Sequence, residues 1–519
     1  MGTSWYEKAR DFKSPLHVIA AFLLRSRETQ RAKVEELSQK VEELRSQVEH
    51  QDEKLREKDK QIERLTQRAV QAERELDHAK QSVNLPADPP RGIHGYGPRM
   101  ISLATNLAQA IGLRGAARTL RIFFQWLGID QKLPSRTSIR NWLQRLGIDE
   151  MQQPLAADES LVMMVDHSNQ IGTEKVLLAL GVNATAMPDP GQALTHQDVR
   201  VLEVKPGESW KTADMEKEYE ALAARHGAPR AVLVDGAVEL RDGANCLKNL
   251  REDTLVLRDF KHYAANVVKS LIGDNPRFQE VTSKIGSTRS VIQQTELAHL
   301  TPPSPKQKAR FMNLSGTLGW LTLILWLLRN PEAKAREGIS PERMHAKLGW
   351  VEEYALEIAV WQECQSVVSA SVKFINQQGL FPGASEELRK VIGDQLQHST
   401  SKDLAQRLID FVAEPEKLLR PGERLPMSTE IVESSFGLYK QLEQQHSKSG
   451  FTSLLACLPA LLKPSTPERV TAAFQRTTPK DVRAWISKHF PTTVSSRRHA
   501  AHAEHRSALK RATVAAAIP

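Results

Sequence analysis

Two aspartates follow apolar, strand-like runs that lie far apart in the chain. Asp166 follows the run in LVMMVDHS, and Asp235 follows the fourth such run, in RAVLVDGA. A buried carboxylate without a partner is costly, so each acid needs a cation or a proton. If the first and fourth strands are neighbours in one sheet, the two carboxylates converge at one spot. Two facing carboxylates repel each other unless a divalent cation joins them.

Mg²⁺ suits such a pair because it takes oxygen ligands and keeps several waters. Two such ions about 3.5–4 Å apart can hold the attacking and leaving oxygens of a phosphoryl transfer. We therefore predict a Mg²⁺ site, in which Mn²⁺ can substitute, at Asp166 and Asp235. A third acid on a helix packed against the sheet would complete it, and the predicted helix in STEIVESSFGLYK offers Glu430 and Glu433.

Another aspartate at a strand end competes for this role. Asp259 follows the fifth strand-like run, in TLVLRDFKH, three positions before His262. The fifth strand lies one place further from the first, which suits Asp259 to orienting His262. His167 and His262 could contact DNA or flank the site, although a lone histidine is more often structural. An aspartate at a strand end is also commonly a helix cap or a turn former.

The elements that position these acids begin at about residue 158, where the hydrophobic period changes. Three strand-length runs precede a helix, a strand, a helix and another strand, which predicts an α/β sheet with crossovers. Beyond residue 260 a mostly helical region extends to about 425. Its most apolar run, 318–328, is too short to span a membrane and is predicted to be a buried helix. Four tryptophans lie in this region, some of which could stack on a flipped base while most form core: Trp320, Trp326, Trp350 and Trp361.

Residues 34–76 carry a heptad repeat with apolar residues at both seam positions. Six heptads of this pattern predict a coiled coil, and β-branched residues at the a position favour a dimer. Gln51 and Lys58 interrupt the d seam and could fix its register. The a positions are Val34, Val41, Val48, Leu55, Ile62, Ala69 and Leu76, and the apolar d positions are Leu37, Leu44, Leu65 and Ala72. Prolines and glycines in the stretch that follows predict a linker.

The stretch LPSRTSIRNWLQRLGI predicts a helix that begins at Ser135. One face is apolar, and the other carries basic, hydroxyl and amide residues, as in the second helix of a helix-turn-helix that binds DNA. We expect DNA contacts from this polar face: Arg136, Thr137, Ser138, Arg140, Asn141 and Arg145. The alternative is an ordinary helical hairpin with a solvated charged face.

The composition favours an anionic partner. The 519 residues include 71 Lys and Arg against 62 Asp and Glu, a formal charge of +9, and nucleic acid is the leading candidate. Cys246, Cys364 and Cys457 lie far apart without a CxxC pair, which argues against a disulfide framework and a zinc site of the usual spacing. Without a secretory leader or a membrane-length apolar run, we expect a protein of a reducing cytoplasm that does not bind membranes.

Four short stretches together resemble the ribonuclease H-like DDE transposases of bacterial insertion sequences. VDHS supplies the first Asp and LVDGAVEL the second, and RDFKH is similar to the D-x-x-H segment that follows the second Asp in several of these families. STEIVESSFGLYK resembles the final motif, in which the catalytic Glu precedes a Lys by seven positions, as Glu433 precedes Lys440. Thr429 and Ser434 replace a family Asn or Gly around this Glu, which leaves the subfamily open.

The resemblance implies catalytic and metal-binding roles for Asp166, Asp235 and Glu433. Supporting or reserve roles fall to Asp259, His262, Glu430 and Lys440. It further implies an α/β ribonuclease H-like catalytic domain with a large helical insertion, preceded by a coiled coil and a helix-turn-helix. The predicted boundaries are 1–26 for a helical arm, 27–83 for the coiled coil, 84–100 for the linker, 101–150 for the helix-turn-helix, 155–272 for the first part of the catalytic domain, 273–425 for the insertion, 426–465 for the final catalytic helix region and 466–519 for a basic tail.

The function implied is a transposase that binds the ends of its element, hydrolyses a phosphodiester with Mg²⁺ and joins the exposed 3′ hydroxyl to target DNA. Such a protein would act as a homodimer or larger assembly at the bacterial nucleoid. The alternative is a DNA-binding repressor or domesticated factor with an inactive ribonuclease H-like domain. A nuclease or recombinase that lacks strand transfer also fits.

Overall fold

The computed structural model describes most of the chain. The described residues are 16–81, 87–90, 95–155, 159–169, 175–207, 210–304, 314–330, 332–333, 340–444, 452–490, 499 and 501–508. Three heptad side chains, those of Leu44, Val48 and Leu76, lie outside the described set, as do residues 491–498 and 509–519 of the predicted tail. The chain divides into two compact units, 1–87 and 88–519.

The described part of the first unit is one helix, α1, which spans Leu16–Gln81 and runs through the boundary predicted at 26/27 without a break. Its seam residues face water: Val34 is 63% exposed and Leu37 is 54% exposed. A helix with an exposed apolar seam gains most of its stability when that seam is buried against a second helix.

The second unit is built on a five-stranded mixed sheet in the order β3–β2–β1–β4–β5. The strands are β1 Leu161–Asn169, β2 Lys175–Asn183, β3 Arg200–Gly207, β4 Ala231–Val234 and β5 Leu255–Arg258. β1 pairs antiparallel with β2 and parallel with β4, and β4 pairs parallel with β5. All four residues of β4 are buried, as expected for a parallel strand covered on both faces. The predicted succession of strands and helices along the chain is confirmed, and the first and fourth strands are neighbours, as the convergence of Asp166 and Asp235 requires.

Helices cover both faces of this sheet. The helices between the strands and after β5 are α4 Thr212–His226, α5 Val238–Gly243, α6 Phe260–Val268, α7 Pro276–Ile292, α8 Ser315–Arg329, α9 Pro341–Leu348, α10 Ala355–Gln378, α11 Ala384–Ile392, α12 Ser399–Glu416 and α13 Glu430–Gln444. Met215 and Tyr219 of α4 pack with Leu240 of α5 against one face. Val432 and Phe436 of α13 belong to the larger core on the other face, which places α13 over β1 and β2.

The region between β5 and α13 is helical, as predicted. The apolar run 318–328 lies within α8, where most of its residues are buried. Trp320 and Trp361 belong to the core, Trp350 is partly buried against it, and Trp326 is 53% exposed. Within the described part of the chain, no helix combines the length and the apolar character that crossing a membrane requires.

The predicted helix-turn-helix does not form a domain of its own. Its helices are α2 Pro98–Trp126, which bends at Gly112, and α3 Arg136–Gln152, which is capped by Ser135 as predicted. Every residue from Trp142 to Asp149 is buried. A helix buried all round over that length has no free face to lay in a DNA groove, so only its first turns can contact a ligand.

The segments that bury α3 come from the C-terminal region, which corrects the boundary of the predicted tail at 466. They include α14 Leu458–Leu461, α15 Pro467–Arg476 and α16 Pro479–His489. The side chain of Ser102 on α2 donates to the carbonyl of Ser465, and Arg476 forms an ion pair of 2.7 Å with Asp149 on α3. Residues 467–489 are therefore part of the folded body.

Candidate active site

The pairing of β1 with β4 brings Asp166 next to Asp235. Val165 is the register partner of Val234 in this parallel pair, so the residues that follow them lie side by side at the same end of the sheet. Asp235 comes directly after β4, where Gly236 adopts a φ of 102° and the Asp235 carboxylate accepts the N–H of Ala237 at 2.8 Å. Asp166 lies inside β1, because β1 continues to Asn169, and the prediction that it ends the strand is wrong by three residues.

Asp166 is a buried carboxylate that forms no ion pair with any described residue, although the charge of His262 acts on it and lowers its pKa slightly. It is 9% exposed, and its one described hydrogen bond comes from the N–H of His167 at 2.6 Å. Burial, and then the charge of Asp235, raise the pKa of Asp166 to about 7, and the charge of Glu433 adds to this rise. The three predicted acids are therefore close enough for their charges to interact.

Glu433 reaches this region because the start of α13 is tied to the end of β5. The N–H and the hydroxyl of Thr429 donate to the Asp259 carboxylate at 2.6 and 3.0 Å. The N–H of Phe260 donates to the carbonyl of Met427 at 3.1 Å. These bonds fix where α13 begins, and Glu433 lies one turn further along that helix.

Asp259 has a structural role in this arrangement. Its carboxylate caps α6 by accepting the N–H of His262, and it lies 2.8 Å from Nδ1 of the same histidine. Burial alone would raise the pKa of Asp259, but these bonds and the one from Thr429 lower it below its ordinary value. With both oxygens engaged, Asp259 is suited to orienting His262, the role predicted for it, and it also holds the start of α13, which was not predicted.

Two cations face Glu433. Lys261 Nζ lies 3.2 Å from its carboxylate, and His262 Nε2 lies 3.7 Å from it. Burial opposes protonation of His262, but the bond to Asp259 and the charges of Asp259, Glu433 and Asp235 raise its pKa to about 9. His262 is therefore a cation at neutral pH, and it belongs to the site.

The remaining predicted residues lie at the rim. Glu430, the first residue of α13, pairs with Asn376 and lies 3.4 Å from Lys261. Lys440 is exposed two turns beyond Glu433. His167 Nε2 lies 3.1 Å from the carboxylate of Glu239, but it has no hydrogen-bond partner among the described residues.

Asp166 and Asp235 fit a hard divalent cation, since they are adjacent carboxylates and the buried one forms no ion pair with a described residue. The described residues contain no group of three acidic, His or Cys side chains already gathered as a metal site. Glu433 instead turns toward Lys261 and His262. For it to serve as a third ligand, its carboxylate would have to leave Lys261.

The predicted DNA-binding residues divide into two groups. Arg136, Thr137 and Asn141 are exposed, and Ser138 and Arg140 are partly buried, at the start of α3. Arg145 is wrong as a DNA contact because it is buried against α15. It donates to the carbonyls of Thr477 and Phe474, and its guanidinium lies 4.0 Å from the centre of the Phe474 ring.

Sequence reasoning missed Arg114 of α2 and the turn at 452–454, which lie beside Arg136 and Arg140. Neither segment carries a local pattern that points to a ligand, because only the packing of α2, α3 and the turn brings them together.

Comparison with known proteins gives little guidance. No protein-family model matches the chain, and no curated protein matches it. Among solved structures, the Drosophila P element transposase strand transfer complex aligns with a TM-score of 0.30 and 14% identity, over 81% of this chain and 98% of that one. A likeness of that size does not establish a shared fold.

Proposed function

We propose that this protein is a DDE-type DNA transposase with a ribonuclease H-like catalytic domain, in which Asp166, Asp235 and Glu433 form the catalytic set. The observation that carries the proposal is the placement of Asp166 beside Asp235 in the parallel pair of β1 and β4, with Glu433 on a helix that packs on the same sheet. A sheet with three antiparallel strands and two parallel ones suits this fold. The motif resemblance and the basic composition point to DNA as the substrate.

Asp166, Asp235 and Glu433 are the residues that would hold Mg²⁺ or Mn²⁺. The metal, when bound, would supply charge stabilisation for phosphodiester hydrolysis and strand transfer. Asp166 exposes little of its surface to solvent, so its carboxylate would keep a fixed direction. Glu433 is favoured over Glu430 because its charge acts on Asp166, whereas Glu430 faces Asn376 at the rim.

The chain's own cations have roles in this proposal as well. Protonated His262 and Lys261 neutralise part of the acidic cluster while no substrate is present. They can turn toward a phosphodiester oxygen once Glu433 leaves them, because both side chains carry N–H donors. Asp259 keeps His262 protonated and holds α13 at its place on the sheet. The exposed seam of α1 supports a second proposal, that two copies pair through it to bring two DNA ends together.

The test is cleavage of a supercoiled plasmid that carries the genomic segments flanking the coding sequence. We expect nicking or double-strand cleavage with Mg²⁺ or Mn²⁺ and none with EDTA. Asp166→Asn, Asp235→Asn and Glu433→Gln should each lose cleavage and keep DNA affinity, since phosphate contacts elsewhere persist.

Glu430→Gln is the matched control, because it alters an acid on the same helix. If Glu430→Gln loses cleavage while Glu433→Gln keeps it, the third ligand is reassigned. If all four variants and the original protein bind DNA and none cleaves it, the protein is a DNA-binding factor with an inactive domain.

A further inference from the structure

A cavity of about 360 Å³ lies at the start of α3, away from the acidic site. We call it the arginine cavity. Three segments that are far apart in the chain line it, and its polar lining residues are Arg114, Arg136, Thr137, Arg140, Thr452 and Ser453. The space can hold a phosphate group together with several waters.

The charge of the arginine cavity is of one sign. Among the described residues that line it, three carry guanidinium groups and none is acidic. Nε of Arg140 is buried without a hydrogen-bond partner, and the described partner of this side chain is the neighbouring Asn141 at 3.3 Å. A buried N–H donor without an acceptor is costly, so an anion bound here would satisfy it. Arg145 on the same helix differs, since its guanidinium is satisfied by carbonyls.

Main-chain N–H groups add to this positive character. α3 begins at Arg136, and the first N–H groups of a helix have no partner within it. Gly112, with φ 74° and ψ 169°, interrupts α2, so that Leu113 and Arg114 open a new helical segment toward the cavity. The N-terminal ends of helices favour anions, and here two such ends lie beside three arginines.

We propose that the arginine cavity binds a backbone phosphate of double-stranded DNA. The inference rests on the proposed action on DNA and adds the site that holds the duplex. A DNA phosphate suits the cavity because Arg136 and Thr137, which line it, are exposed, so that a long ligand can pass. Contact with phosphate alone carries no sequence information and serves to position the duplex.

Elements that line the arginine cavity also pack against α13. α13, which carries Glu433, packs against α2 and α14, and also against the 453–457 turn that lines the cavity. A phosphate held by Arg114 and the turn is therefore held by elements that pack against the helix of Glu433. The cavity would set where the duplex enters relative to the acidic site.

The experiment compares the full chain with Arg114→Gln, Arg140→Gln and their double variant. Arg118→Gln is the matched control, because Arg118 is an exposed arginine on α2 outside the cavity. Affinity for a random 30-base-pair duplex is measured by fluorescence anisotropy across a salt series. Each lost phosphate contact should flatten the slope of log K against log salt by about 0.9, which is about eightfold in affinity at 0.1 M salt. The control should keep the original slope.

A second measurement uses inorganic phosphate as the probe. Phosphate should raise the melting temperature of the original protein above that in chloride of equal ionic strength, and Arg140→Gln should abolish the rise. If Arg140→Gln and the double variant keep the original salt slope, the inference is overturned, even if phosphate stabilises the protein. If the slopes flatten and the plasmid is not cleaved, the cavity binds DNA and only the proposed catalysis fails.

Discussion

Replacing Asp166 with asparagine should abolish cleavage and make the metal-free protein more stable at pH 8. Asp166 is buried beside Asp235, and its pKa is raised from 3.8 to about 7. In the unfolded chain the carboxyl ionises above pH 3.8, whereas in the folded protein it keeps its proton until about pH 7. The folded state therefore loses stability as pH rises from about 4 to 7, and the full loss is present above pH 7.

The size of this loss follows from the pKa. A rise from 3.8 to about 7 corresponds to about 4 kcal/mol between the two protonation states. The asparagine side chain would carry no charge, but its amide would need hydrogen bonds in a buried place, which costs about 1–3 kcal/mol where they are missing. We expect a net gain of about 1–3 kcal/mol at pH 8 and a net loss of about 1–3 kcal/mol at pH 4, where both side chains are neutral and only the amide penalty remains.

The assay is the melting temperature of both proteins in EDTA at pH 4, 5, 6, 7 and 8. Asp242→Asn is the control, because Asp242 is partly exposed and its charge is paired with Arg241 at 2.8 Å. Adding Mg²⁺ at pH 8 should stabilise the original protein and leave Asp166→Asn unchanged, since the metal relieves the same repulsion. An Asp166→Asn protein that melts at or below the original temperature at pH 8 in EDTA would refute this reasoning.

Three further predictions concern the parts that support the site. Asp259→Ala should lower the free energy of unfolding by about 2–6 kcal/mol, because the N–H groups of His262 and Thr429 lose their acceptor. Hydrogen exchange should rise first at the start of α13. Unchanged exchange there would contradict the proposal that Asp259 holds this helix in place. Arg145→Ala should lower the melting temperature by the equivalent of about 2–3 kcal/mol with little change in the DNA salt slope, whereas Arg136→Ala should do the reverse. Deleting residues 27–83 should convert a dimer to a monomer in light scattering, and an unchanged number of chains per particle would exclude pairing through α1.

The sheet and its acids were largely predictable from the sequence. Runs such as LVMMV and AVLV are apolar and rich in valine, and their alternation with two helical stretches leaves few possible topologies. Once β1 and β4 are neighbours, the convergence of Asp166 and Asp235 follows from the chain alone. The start of α3 at Ser135 was predictable for a similar reason, because a serine before a helical period supplies the N-cap bond.

The environment of α3 was not predictable, because it depends on partners more than 300 positions away. Arg145 has the side chain of a DNA contact, and only the placement of α15 makes it a donor to the carbonyls of Thr477 and Phe474. The packing of the C-terminal region was not predictable either. Its amphipathic segments after residue 466 have too few apolar residues to suggest a core by themselves, yet Val470 and Ala473 are buried in the common core.

Asp166 and Asp259 differ in a way that separates a functional carboxylate from a structural one. Both are buried at or near the ends of strands in one sheet, and their local sequences, VDHS and RDFKH, give similar grounds for either role. Asp259 is surrounded by donors, so its charge is compensated by the fold and its pKa falls. Asp166 has one described donor and an acidic neighbour, and the charge of His262 offsets only part of this, so the pKa of Asp166 stays raised. Because a buried carboxylate that is only partly compensated costs the folded state free energy, we propose that Asp166 is kept for the cation of the proposed function.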